Sequence, residues 1–251
     1  MLRNALRLLI FSLLLVAFLP LFMAGMVGFM VRLKTRNRGI TATAYEPLFN
    51  RMLFHHAGTR DDRAAVKLAP HLPALSPTVA WLMIGTMGLA ARLSGYQGSI
   101  LSYPGARPSS MISVMVHRTA FFDEALASAV HSTGPHPAQQ VVFLGAGWDT
   151  RAYGALRDRP VRVFEVDTPA TQRAKTQALE RAGIDASHVT FVETDFGQTS
   201  WLDALLVRGF DPALPTFILW EGVTMYLDEE TVQTTLRKVS GLAVGSRIAF
   251  D

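Results

Sequence analysis

The chain has 251 residues, 49% of them hydrophobic, no cysteine and a formal charge of +4. This composition excludes global disorder, and it excludes disulfides, thiolate metal sites and cysteine nucleophiles together. The positive charge comes from Arg3, Arg7, Arg32, Lys34, Arg36 and Arg38, ahead of the first acid, Glu46; the remainder has 18 basic against 20 acidic residues and lacks the basic patch a nucleic acid needs.

Residues 8–31, LLIFSLLLVAFLPLFMAGMVGFMV, form an uncharged run of 24. A spanning helix needs about 20 apolar residues, and the kink at Pro20 is tolerated in a membrane. A signal peptide is the competing reading. Its apolar core is about 7–15 residues, and here Arg32, Lys34, Arg36 and Arg38 stand where a small-residue cleavage site would be. A buried core helix is the other alternative. Four cations follow the run and two precede it, so the positive-inside rule puts the downstream body in the cytoplasm. Residues 1–38 are therefore expected to be a single-pass membrane anchor with a basic flank.

Residues 39–138 read as a helical N-terminal or lid region, broken at Pro70, Pro73, Pro77 and YPGARPSS (103–110). Within it, TVAWLMIGTMGLAARL (78–93) is apolar until Arg92. That is short for a span and suits an interfacial or buried helix, with a second membrane segment left open. The stretch MISVMVHRTAFFDEALASAV, closed by Pro135 and Pro137, has helical spacing.

From Gln140 the pattern changes. VVFLGAG (141–147), VRVFEVD (161–167), HVTFVETD (188–195), PTFILWEG (215–222) and SRIAFD (246–251) read as strands, with helices over 169–183 and 228–241 between them. This alternation predicts an α/β domain over 139–251, a Rossmann-like sheet of five parallel strands. Ligands of such sheets bind beyond the carboxyl ends of the strands. Small or acidic residues lie at those ends: Gly145 and Gly147, Asp167, Asp195 and Glu221. Each also has an ordinary structural reading: a tight turn for the glycines, a helix cap for Asp167, a paired core carboxylate for Glu221.

The Gly145-Ala146-Gly147 turn could face a dinucleotide, with an acid about 20 residues later on the ribose, but the third glycine of that fingerprint is Thr150 here. Asp195 and Phe196 offer a carboxylate beside an aromatic face, suited to the amine and ring of an adenine. A ribose acid, an adenine acid and a short glycine turn together describe an adenosine with a small tail, and S-adenosylmethionine fits.

The motifs RTAFFDEAL, VVFLGAGWDTRAYGAL, VFEVDTPATQRAK, VTFVETDF and FILWEGVTMYL, in this order over roughly 107–251, resemble the leucine carboxyl methyltransferase-like group of class I S-adenosylmethionine-dependent methyltransferases, which has bacterial members with a hydrophobic N-terminal segment. The resemblance implies that Arg118 holds the methionine carboxylate, that Gly145 and Gly147 pass beside the methionine part, and that Asp167 takes the ribose hydroxyls. It implies Asp195 and Phe196 around the adenine and Glu221 near the amino group. An ion pair with Asp123 or Glu124 is the alternative for Arg118. It also implies two further strands, an antiparallel pair beyond SRIAFD, so the domain is expected to be C-terminally incomplete, with its fifth strand an open edge.

The implied reaction is O-methylation of a carboxylate or hydroxyl acceptor at the cytoplasmic membrane face; the acceptor could be a small molecule, a lipid-like molecule or a protein carboxylate. His117 and Tyr226 lie near the motifs, but a packed or capping role suits both, and no catalytic base is assigned. The seven histidines lack a metal spacing such as H-E-x-x-H, and no metal is expected. An NAD-dependent oxidoreductase and a non-catalytic S-adenosylmethionine-binding protein are the other function classes.

Overall fold

The computed structural model of the chain describes residues 2–37, 39–98, 101–103, 114–131, 136–194 and 200–251. They form two compact units, one of Met1–Ala120 with Ala178–Ile184 and the other of Phe121–Gln177 with Asp185–Asp251.

The first unit is helical. α1 (Leu2–Arg36) carries the apolar run, with Pro20 inside it. It is long and apolar enough to cross a membrane, and little of its apolar window is buried in the chain. α2 (Tyr45–Ala57) ends at Gly58, whose φ of 73° lets the backbone turn left-handed at the cap. α3 (Arg63–Leu68) is capped by Asp62, which accepts from the Ala65 amide at 3.0 Å. α4 (Pro77–Ala80) starts at Ser76, whose hydroxyl accepts from the Val79 amide, with Pro77 in the first turn where its missing N–H costs nothing. A π-helical turn (Trp81–Gly85) joins α4 to α5 (Thr86–Ser94), so the second apolar stretch is one continuous helical rod. Met83, Ile84, Ala90 and Ala91 of that rod are buried. α6 (Val114–Val130) starts in this unit and ends in the other.

The second unit holds a parallel sheet of β1 (Gln140–Leu144), β2 (Arg162–Asp167), β3 (Val189–Glu193), β4 (Thr216–Trp220) and β5 (Arg247–Phe250) in the order β3-β2-β1-β4-β5. All pairings are parallel. Every residue of β1 and β4 is buried, as their unbroken apolar runs require of central parallel strands covered on both faces. Val142, Leu144, Phe164, Val166, Ile218 and Trp220 of the sheet share a core with Trp201, Leu205, Phe210 and Val239.

α7 (Pro169–Arg181) and α9 (Glu229–Ser240) match the helices read from sequence, while α8 (Trp201–Val207) was not anticipated. Between β1 and β2 the chain makes a short 3₁₀ turn (Arg151–Tyr153). The strand order reverses at β1: β2 and β3 lie to one side, β4 and β5 to the other. That is the switch point where doubly wound sheets open a crevice, and β1 runs into it with Gly145.

Candidate functional site

The site is built from the segments directly after β1, β2 and β4 in the second unit. β1 cannot continue past Leu144, because Gly145 takes φ 67° and Gly147 takes φ 43°. At Gly145 there is no room for a side chain either: a Cβ would lie 2.5 Å from Cγ2 of Val223. The turn is stitched to β2, with the Gly145 and Ala146 amides both donating to the Val166 carbonyl, at 2.8 and 3.0 Å. Both strand ends are thereby fixed side by side.

Asp167, the last residue of β2, closes that stitch. Its Oδ2 accepts from the Gly147 amide at 2.6 Å and its Oδ1 from the Thr168 amide at 2.7 Å. Burial pushes its carboxyl above the usual range, and the amides of Gly147 and Thr168, with the nearby Lys175, pull the other way. Each carboxylate oxygen offers two acceptor positions, so the two amides and the Thr171 hydroxyl leave one acceptor position for a ligand hydroxyl.

Glu221, directly after β4, is tied to a residue that the sequence reading did not single out. Arg151 is 1% exposed and faces three carboxylates. Its Nε donates to Asp123 Oδ1 at 2.6 Å, and its Nη1 donates to Asp149 Oδ2 at 2.5 Å and to Glu221 Oε2 at 2.7 Å. The Asp149 side chain also accepts from the Arg151 amide, which fixes the start of the 3₁₀ turn. Burial works against the guanidinium charge, yet the carboxylates of Asp149, Glu221 and Asp123 raise its pKa well above the ordinary arginine value. The guanidinium thereby gathers three carboxylates at the end of the sheet. The available signal was Asp149-Thr150-Arg151 itself, charged residues entering a segment whose neighbours are all apolar.

A second buried pair supports β2 from below. Glu165 is wholly buried, 2.6 Å from Lys175 of α7, and accepts from the Tyr153 hydroxyl at 2.8 Å. Burial raises the Glu165 carboxyl, with Lys175 and Tyr153 opposing. Gln172 donates to the Glu165 carbonyl at 2.6 Å, so α7 holds β2 through two side chains one turn apart.

The structure thus brings together Gly145, Gly147 and Asp167, and it places Glu221 in the Arg151 cluster. Arg118 sits in the first unit, where its Nη1 donates to Glu46 Oε2 at 3.2 Å. Asp195 and Phe196 lie outside the described residues. Among the described residues no group of His, Asp and Glu is arranged to hold a metal ion.

A sequence profile described as leucine carboxyl methyltransferase matches residues 89–240. A Streptomyces coelicolor protein, provisionally named an S-adenosyl-L-methionine-dependent methyltransferase, is 38% identical over 144 residues, which are 53% of this chain and 49% of that protein. A Mycolicibacterium vanbaalenii protein of the same provisional name is 33% identical over 71% of this chain and 59% of its own length. The chain spans about half the length of the curated relatives it matches. The apo crystal structure of the S-adenosylmethionine-dependent methyltransferase SibL aligns over 94% of this chain and 79% of that one, at 17% identity and a TM-score of 0.36, too distant a likeness to build on.

Proposed function

The chain belongs to the leucine carboxyl methyltransferase family, and from that premise we propose that it binds S-adenosylmethionine in the β1–β2–β4 crevice and methylates a carboxylate or hydroxyl oxygen. The observation that carries the reading is the crevice itself. A backbone turn with glycine at 145 and 147, an anchored Asp167 with acceptor capacity to spare, and the carboxylates gathered around Arg151 suit a ligand with ribose hydroxyls and an amino group. That cofactor, when bound, supplies a methyl group already activated on a sulfonium.

The residues have separable tasks. Asp167 accepts from the ribose hydroxyls while its two backbone bonds keep it in place. Gly145 and Gly147 let the backbone pass alongside the methionine part. Glu221, fixed by Arg151, faces the amino group. Asp195 and Phe196 frame the adenine and Arg118 takes the methionine carboxylate, as the family resemblance implies. A carboxylate acceptor needs no deprotonation at neutral pH, so the protein's work is alignment of the acceptor oxygen and exclusion of water. The apolar length of α1 and the cations at its ends support action at the cytoplasmic face of a membrane.

Calorimetry of the full chain against S-adenosylmethionine and NAD tests the reading: the first binds and the second does not. Asp167→Ala weakens binding by about 1–3 kcal/mol, the scale of hydrogen bonds to a charged group, roughly 5- to 150-fold. Equal affinity of wild type and a folded Asp167→Ala chain sinks the assignment of that carboxylate.

A further inference from the structure

α1 does not leave the first unit as a free anchor would; it bears on that unit along most of its length. Phe11 stacks on Tyr96 with ring centroids 5.0 Å apart. A Cβ on Gly25 would lie 2.7 Å from Leu82 Cβ, and one on Gly28 3.0 Å from Val79 Cγ2. Phe29 meets Tyr45 and Phe49 edge-on, and the Arg32 guanidinium donates to the Leu75 carbonyl. These contacts run in reverse order along the α4–α5 rod, so the two helices are antiparallel.

The buried residues of α1 are Phe11, Gly25 and Phe29, and with the half-buried Leu15, Phe18 and Phe22 they recur along one side, where Leu14, Met26 and Gly28 are also half-buried. That is the seven-residue repeat of a coiled-coil seam. On the opposite side Leu9, Leu13, Val16, Met23, Val27 and Met30 form a stripe that is 52% to 70% exposed.

A helix so docked cannot cross a bilayer along its normal without carrying its unit into the bilayer. Phe11 lies against Tyr96 and Gly25 against Leu82, so the equal rise of both helices puts Gly88 opposite about residue 19, mid-way along the apolar run. A Cβ on Gly88 would meet the His56 side chain of α2. The adjacent His55 contacts Asp61 at 3.1 Å, and Arg63 lies 3.5 Å from Asp61, with both charged side chains mostly in solvent. A perpendicular bilayer would put this exposed ion pair near its midplane, where charges are tolerated only inside a bundle or a wet cavity.

Building on the membrane association proposed above, we infer that α1 lies in the membrane plane, its Leu9-to-Met30 stripe in the acyl region of one leaflet and its seam on the protein. The occupant of that stripe is an anionic bilayer, because the stripe is apolar and is flanked by Arg3 and Arg7 at one end of α1 and by Lys34 and Arg36 at the other. The polar ridge of His55, Asp61 and Arg63 then stays in water. An all-apolar helix lies at an interface without a polar face of its own when protein covers the side turned from the lipid.

The absence of cysteine makes the test direct. Leu9→Cys, Val16→Cys, Met23→Cys and Met30→Cys each place one thiol on the exposed stripe, seven residues apart, without touching the seam. Each full-length variant is labelled with an environment-sensitive fluorophore and bound to phosphatidylcholine–phosphatidylglycerol vesicles containing lipids with a nitroxide at a shallow or a deep acyl position. The expected result is the same depth at all four sites. Val16 and Met23 lying about 10 Å deeper than Leu9 and Met30, the rise of seven helical residues, overturns the in-plane placement and leaves membrane association standing. No quenching at any site, with the chain remaining unbound when vesicles are floated, overturns both.

Discussion

Replacing Arg151 by methionine, which keeps most of the buried volume and removes the charge, isolates the cluster that fixes Glu221. The guanidinium makes three contacts of 2.5 to 2.7 Å to Asp149, Asp123 and Glu221 and is almost wholly buried. Removing one side of a buried ion pair costs about 3–5 kcal/mol, chiefly because the partner charges stay behind. In a chain of this size each kcal/mol moves the melting temperature by about 2–4 °C, so Arg151→Met is expected to melt roughly 6–20 °C below wild type at pH 7.5. Arg151→Lys, which restores a charge but not the planar fork, should recover only part of the loss. The assay is circular dichroism melting of all three chains in one detergent. A melting point for Arg151→Met within about 2 °C of wild type at pH 7.5 refutes the electrostatic account of this cluster.

Gly145→Ala combines a φ of 67° with a Cβ 2.5 Å from Val223, so it is expected to cost about 1–3 kcal/mol in strain and to abolish cofactor binding by calorimetry. Val223→Ala added to it restores space but not the backbone conformation, so recovery should be partial; full recovery would show that crowding alone mattered. For Asp167 the raised carboxyl pKa means that the folded chain holds its proton more tightly than the unfolded chain. Its contribution is present below the ordinary carboxylate value of about 3.9 and is lost as pH rises through the higher folded value. The melting temperature of wild type relative to Asp167→Asn should therefore fall as pH rises from about 3.5 into the range above 4; a relative rise overturns the burial argument.

The parts of the fold legible in the sequence owe that to periodicity. The five strands alternate with helices and end in Gly145, Asp167 and Glu221, and a residue ending an apolar run is visible without any structure. Arg151 was missed because its partners Asp123 and Glu221 lie 28 and 70 residues away, and pairing across such distances leaves no periodic trace. Glu165 was more readable than it was read: a carboxylate between Phe164 and Val166 in a strand apolar on both faces demands a partner. α8 was likewise available from its Ser200 cap and from Gly209 just beyond its end. Arg118 shows the converse. A helical neighbour such as Asp123 was the natural alternative, while Glu46, which also accepts from it, lies 72 residues away in a helix the sequence could not place. The seam on α1 was hidden for a different reason. Every face of that helix is apolar, so the spacing from Phe11 to Phe29 has no polar background to stand out against.

The same few side chains that shape the crevice also join its walls. Asp167 reaches from β2 to the turn after β1, and Arg151 reaches from that turn to the residue after β4 and to Asp123 in the middle of α6. These bonds cross the switch point, where the sheet itself supplies least, because β1 ends and the strands on its two sides diverge. Affinity and stability in this site are therefore coupled. A substitution at Asp167 or Glu221 removes a ligand contact and a strand-end tie in one step, so a loss of binding has meaning only beside the melting curve of the same variant. Asp167→Asn separates the two, because an amide oxygen still accepts from one backbone amide while the charge is lost. If affinity falls with Asp167→Asn while the melting point at pH 7 holds or rises, the carboxylate acts on the ligand. If both fall together, its main work is to hold the Gly145–Gly147 turn against β2.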